Sequence, residues 1–176
     1  MEEKEMILLV NEEDIEAGYE EKLKVHEKGI LHRAYSIFIF NSKKEVLLQK
    51  REMSKYHSPG LWTNTCCSHQ RMKEKLEEAT HRRLQEEMGF DTDLSELFTF
   101  IYHIDFPNGL TENELDHVFV GYYEGEINPN PKEVEAYKWV SMEELMEQVR
   151  IAPEDYTYWL KECLPRVYNL YKEGRI

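Results

Sequence analysis

The stretch Asn64-Thr65-Cys66-Cys67-Ser68-His69, followed by a helix closing on Glu86-Glu87-Met88-Gly89-Phe90, organises the chain. It brings a thiol, an imidazole and two carboxylates into one short span. Cys67 and His69 stand two apart, so an extended segment projects both from one side and Cys66 from the other. Arg83 and Glu87 stand four apart and share a helix face. A guanidinium and a carboxylate one turn apart, beside a thiol, suit an anionic ligand plus a metal. They equally suit a surface ion pair beside a small core cysteine, and pairs at that spacing are common.

Working outward, Met72 to Met88 reads as the helix, with Leu76, Ala79, Thr80 and Leu84 in one limited arc. Arg83 and Glu87 fall in that same arc, and charges on an inward face are costly unless paired or bound. That favours the functional reading. Gly89 ends the helix. Upstream, Ser58-Pro59-Gly60 is a turn. Lys50, Arg51 and Lys55 form a basic cluster in an acidic chain, ordinarily a solvated face. His32 to Phe40 is aromatic and β-branched, a strong strand signal. Asn41 to Lys44 turns it, and Glu45 to Gln49 returns as the second strand of a hairpin. Met6 to Val10 is a short buried strand. Asp14 to Lys28 is acidic and partly helical, with Lys22 and His26 four apart and Gly29 breaking it.

Downstream, Leu94 to Phe106 is strand-rich, Pro107-Asn108-Gly109 turns it and Asn113 to Tyr123 runs back. Glu112 and Glu114 alternate with Asn113, so in a strand both carboxylates face one way. Like charges side by side repel and recruit a cation; an exposed acidic edge is the plainer reading. Asn128 to Pro131 is a loop and Tyr137 to Val140 a short strand. Ser141 with Glu144 resembles a capping box opening a helix to about Val149, and Pro153 to Lys172 is a closing helix that contains Trp159. The pattern predicts one domain over residues 1–176, a mixed sheet with helices, α/β sandwich or α+β.

The totals bound the function. Lys and Arg number 22 against 35 Asp and Glu, a net charge of −13, which speaks against a broad nucleic-acid surface. No apolar run reaches the ~20 residues of a membrane helix, and Met1 to Glu5 lacks a secretory pattern. Three cysteines without a Cys-x-x-Cys pair point to a reducing, cytoplasmic setting. Of seven histidines, His26, His32 and His69 stand near the pocket elements; with Glu112 and Glu114 they would form a nitrogen–oxygen shell for Zn²⁺, Mn²⁺ or Mg²⁺. His57, His81, His103 and His117 converge on nothing obvious.

These residues carry a resemblance. His26-x-x-Gly29-x-Leu31-His32-Arg33-Ala34, Asn64 to His69, the helix Glu74 to Phe90 and Glu112-Asn113-Glu114 together resemble the type 1 isopentenyl-diphosphate isomerases of the Nudix superfamily, from about Leu23 to Trp159. The general Nudix pattern falls on Glu74, Arg82, Leu84, Glu86, Glu87, Gly89 and Phe90, with Ser68 in place of its first Gly. Arg83 stands where the hydrolases have a metal-binding Glu, and Gln70 where many relatives have Pro. A guanidinium there weakens a hydrolytic metal cluster and adds a diphosphate clamp.

The resemblance implies a Nudix-type α/β/α sandwich with a mixed sheet. It implies a metal-dependent isomerase of isoprenoid biosynthesis, interconverting isopentenyl and dimethylallyl diphosphates; a Nudix hydrolase of nucleoside or prenyl diphosphates is the alternative. It implies that His26, His32, His69, Glu112 and Glu114 hold one divalent metal (Zn²⁺ or Mn²⁺), with Glu87 helping to hold Mg²⁺ against the diphosphate. Lys22, Arg51, Lys55 and Arg83 would contact the diphosphate, with Trp159 beside the alkene. Cys67 and Glu114 would exchange the protons, with Tyr102 next to Glu114. The partner implied is a small isoprenoid diphosphate rather than a nucleic acid or a membrane, and the protein a monomer or homodimer.

Overall fold

The computed structural model describes residues 4–176; Met1, Glu2 and Glu3 of the acidic start lie outside them. The sheet is built on β3 (His32–Phe40), in which every residue except Arg33 is buried. A strand buried on both faces needs the near-continuous apolar run seen here. One edge of β3 pairs in parallel with β8 (Thr111–Tyr122), from His32 opposite Glu114 to Phe40 opposite Tyr122. The other edge is shared by three antiparallel partners in turn. They are β1 (Met6–Val10) at His32, β6 (Cys66–His69) from Ala34 to Ile37, and β4 (Glu45–Arg51) at Phe40. Beyond these, β2 (Glu16–Glu21) edges β1, β5 (Trp62–Thr63) and β9 (Val134–Ser141) flank β4, and β7 (Leu94–Asp105) flanks β8.

Alternation along β3 separates two cores. Phe38 and Phe40 join Phe98, Val118 and Val120 beneath α3 (Met142–Ile151) and α4 (Tyr158–Lys172). Tyr35, Ile37 and Ile39 pack with Cys66 against Ala79, Leu84 and Met88 of α2 (Leu76–Met88). Helices therefore cover both faces of a mixed sheet, the expected sandwich. Each large apolar side chain so buried contributes roughly 1.5–3 kcal/mol. Gly89 caps α2 at φ 76°, and a Cβ there would lie 2.2 Å from the Asn128 carbonyl oxygen, so both conformation and space demand glycine. No helix among the described residues is long and apolar enough to cross a membrane.

Several expectations are corrected. The acidic segment from Asp14 holds a strand, β2, before the short α1 (Lys22–Lys28). β3 and β4 do flank a turn, but they share only the pair Phe40–Val46 before β4 leaves to join β9. The closing helix is two pieces: a 3₁₀ turn at Pro153–Asp155, then α4. Between them Thr157 is pulled onto the sheet, its N–H donating to the Trp62 carbonyl at 3.0 Å. α2 opens at Leu76 rather than Met72, and the Glu112–Glu114 pair is buried inside β8 rather than on an exposed edge.

Candidate active site

The end of the β3 face nearest α1 is polar where the rest is apolar. His32 starts β3, His69 ends β6 opposite Ala34, and Glu112 and Glu114 enter from β8. Glu114 also lies opposite Tyr102 of β7, and His26 reaches in from α1. All five histidine and carboxylate residues are buried, and one ligand atom from each lies within 4.8 Å of all the others. That span is close to the ~4.2 Å across a shell with ~2.1 Å bonds.

The hydrogen bonds fix which nitrogen is offered. His26 Nδ1–H donates to the Lys22 carbonyl at 2.6 Å, and His32 Nδ1–H to the Ile30 carbonyl at 2.8 Å. A carbonyl only accepts, so in the neutral rings each Nε2 is a bare lone pair. Those lone pairs point at carboxylate oxygens: His26 Nε2 at Glu112 Oε1 (3.3 Å), His32 Nε2 at Glu114 Oε1 (3.4 Å). Both nitrogens and Glu112 Oε2 are buried without a hydrogen-bond partner. Acceptors facing acceptors in a dry site repel unless positive charge stands between them. Three imidazole nitrogens with two carboxylates make a donor set that a divalent cation fits.

The electrostatics follow from burial. It drives His69 down to about 3, against the pull of Glu114. It lifts Glu112 above the usual carboxylate range, and the neighbouring Glu114 charge adds to this. Tyr102 Oη–H donates to Glu114 Oε2 at 2.5 Å; burial and then the Glu114 charge hold that phenol protonated.

A cleft opens from this cluster. Cys67, Ser36, Asp116, Tyr102 and Trp159 line it, and so do all four expected cations, Lys22, Arg51, Lys55 and Arg83. Cys67 and Glu114 therefore sit on strands either side of β3 and share one cavity. Burial pushes the Cys67 thiol up to about 12, with Arg51 working against it. Cys66 points away into the α2 core, as its place beside Cys67 suggested, and Cys163 is buried on the core face of α4. Trp159 is both core and wall: it is buried, yet it lines the cleft with Arg51 stacked 5.2 Å from its ring centre.

At the far end, Arg83 Nη2 holds Glu87 Oε1 at 2.7 Å and Glu133 Oε2 at 2.9 Å, and Lys55 also pairs with Glu133. Gln49 Nε2 donates to Glu87 Oε2 at 2.7 Å. The Arg83–Glu87 pair is thus inside the site and not a surface pair. The Nε–H of both Arg51 and Arg83 is buried without an acceptor. Sequence reasoning missed Gln49, Glu133, Ser36, Asp116 and His57. Ser36 Oγ–H donates to Asp116 Oδ2 at 2.7 Å; Ser36 sits in an apolar run that reads simply as strand, whereas Asp116 continues the alternation of Glu112 and Glu114, the signal that could have found it. His57 Nε2 stands 2.5 Å from Glu112 Oε1, and its only sequence signal is its place beside Lys55 ahead of a turn. His81, His103 and His117 lie outside the cleft, paired with Asp91, Asp105, and Asp14 and Glu96.

Comparison with known proteins agrees with this geometry. Residues 30–164 match the NUDIX domain model. The chain is 50% identical over 160 residues to isopentenyl-diphosphate Delta-isomerase 2 of Photorhabdus laumondii, covering 91% of this chain and 90% of that one. It is 48% identical over 171 residues to isopentenyl-diphosphate Delta-isomerase 1 of Aromatoleum aromaticum, covering 97% of each. In fold it is similar to the solved structure of DR0079 from Deinococcus radiodurans, with a TM-score of 0.75 at 23% identity over 93% of this chain and 99% of that one. On this evidence the chain belongs to the NUDIX family, among its isopentenyl-diphosphate Delta-isomerases.

Proposed function

We propose that the chain interconverts isopentenyl and dimethylallyl diphosphates by moving two protons across an allylic unit. The observation that carries this is the shared cleft: a thiol and a hydrogen-bonded carboxylate enter it from strands on opposite sides of β3. An unactivated alkene needs an acid to protonate one end and a base to take a proton from the carbon on the other side of the double bond. Cys67, held protonated, and Glu114 are those two groups. Tyr102 donates to Glu114 and so restrains the carboxylate that must meet the substrate. The Trp159 ring can face developing positive charge, worth roughly 1–2 kcal/mol in a dry pocket. The buried walls exclude the water that would capture a cation.

Lys22, Arg51, Lys55 and Arg83 hold the diphosphate away from the reacting carbons, so that binding energy positions a short alkene. We assign Zn²⁺ or Mn²⁺ to His26, His32, His69, Glu112 and Glu114, and Mg²⁺ to Glu87 with the diphosphate. Bound beside Glu114, a divalent cation supplies the positive charge that orients this carboxylate and biases its proton affinity. Hydrolysis is disfavoured by the acidic helix itself. Arg83 stands where the resemblance places a metal-binding Glu in the hydrolases, and a guanidinium there weakens a hydrolytic metal cluster. Incubating the purified protein with isopentenyl diphosphate and Mg²⁺ in deuterated water tests the reading. Deuterium in a dimethylallyl product is expected; release of phosphate without an allylic product would replace the isomerase with a hydrolase.

A further inference from the structure

The loop between β4 and β5 carries Lys55 and then turns His57 inward. Its shape is fixed: Gly60 N–H donates to the Arg51 carbonyl at 3.0 Å, and Asn108 Nδ2 donates to the Tyr56 carbonyl at 2.9 Å. Ser58 and Gly60 take left-handed backbone, φ 49° and 69°. The His57 ring stacks on Phe106 at 5.5 Å and 8° and meets Trp159 edge-on at 5.8 Å and 76°. Its one charged contact is Glu112 Oε1, 2.5 Å from Nε2. Its backbone carbonyl accepts from Arg51 Nη2 at 3.3 Å.

We infer that His57 is a positioning residue for the metal centre, holding the Glu112 carboxylate in place through its contact on Oε1. This rests on the metal site proposed above. His57 does not belong to the five residues whose ligand atoms cluster, so it acts through Glu112 and not on the ion. His57 Nε2 stands nearer to Glu112 Oε1 than His26 Nε2 does, at 2.5 against 3.3 Å. A carboxylate without that contact on Oε1 would be freer to turn. His57 also differs from His26 and His32. Their Nδ1 atoms are anchored on backbone carbonyls, whereas His57 Nδ1 has no partner. Its orientation comes from aromatic contacts and from Glu112 alone. Through its carbonyl the same residue touches Arg51, so one loop joins the metal ligand to the diphosphate clamp.

The test uses the full chain stripped of metal and titrated with Zn²⁺ against a chromophoric chelator, with Co²⁺ as a spectroscopic probe. His57→Phe keeps a ring and removes the donor. It is expected to weaken Zn²⁺ binding about 10- to 100-fold and to shift the visible Co²⁺ bands. His57→Gln, which retains an N–H donor, is expected to recover most of the affinity and the wild-type spectrum. Wild-type Zn²⁺ affinity and an unchanged Co²⁺ spectrum in His57→Phe would overturn the inference. So would a His57→Gln protein as impaired as His57→Phe, since packing and not the bond would then be at work. If the phenylalanine prevents folding, His57→Leu takes its place in the same comparison. A wild-type chain that binds neither ion would instead remove the metal centre itself, and the inference with it.

Discussion

The two ends of the cleft are unsatisfied in opposite senses. At the imidazole end the unpartnered buried atoms include acceptors: His26 Nε2, His32 Nε2 and Glu112 Oε2. At the guanidinium end they are donors, the Nε–H groups of Arg51 and Arg83. One end calls for a cation and the other for an anion. They also differ in stiffness. Two imidazoles are pinned by backbone carbonyls and both carboxylates rise from one strand, whereas the guanidinium end uses long side chains that already hold Glu87 and Glu133. On the proposed function, placement accuracy is concentrated where protons would move, and adaptable charge where a flexible diphosphate would be gripped.

Cys67 stands between the ends, so Cys67→Ala separates their tasks most sharply. A fall in kcat of roughly 100- to 10,000-fold is expected, with diphosphate affinity retained; wild-type turnover would remove the thiol from the chemistry. Arg83→Glu attacks the anion end alone. Losing charge-assisted bonds worth about 1.5–3 kcal/mol predicts a KM raised roughly 10- to 150-fold with a smaller change in kcat. An unchanged KM would take Arg83 out of the clamp.

Smaller effects sharpen the contrast. Burial raises the Cys67 thiol to about 12, so the thiolate fraction grows with pH throughout the ordinary range. Alkylation of Cys67 by iodoacetamide, followed by mass spectrometry, should therefore quicken about tenfold per pH unit between about pH 8 and about pH 10. A plateau near pH 9 would mark an ordinary thiol. Glu133 occupies both Lys55 and Arg83, and on the proposed function would have to yield to substrate. Partly exposed pairs are worth about 0.2–1 kcal/mol, so Glu133→Gln should lower KM by no more than about fivefold. A raised KM would mean that Glu133 supports the clamp instead of competing for it.

What the sequence revealed depended on whether local chemistry decided the structure. β3 was legible to the residue because a strand buried on both faces is apolar along most of its length. The Gly89 cap was legible because its left-handed backbone and the close Asn128 carbonyl leave no other residue. β2 was not: Glu16-Ala17-Gly18-Tyr19-Glu20-Glu21 lies on an edge, buries almost nothing and carries no period-2 pattern. The turn at Asn41 to Lys44 was readable but the partner of β4 was not, since pairing with β9 is set by packing far along the chain. In the site, residues with a motif or a shared face were found. His57, alone on a loop, takes its meaning from Glu112, Phe106 and Trp159, which only the folded chain brings to it.

The three short partners along one edge of β3 have a kinetic consequence. The clustered atoms proposed to hold one ion come from α1, β3, β6 and β8, so no fragment short of the closed sheet presents them together. In small finger-like domains an ion nucleates the fold; here long-range strand pairing, which is intrinsically slow, must come first. Ion capture during refolding should therefore act as a clock for the final step of assembly, lagging behind the burial of tryptophan and never preceding it.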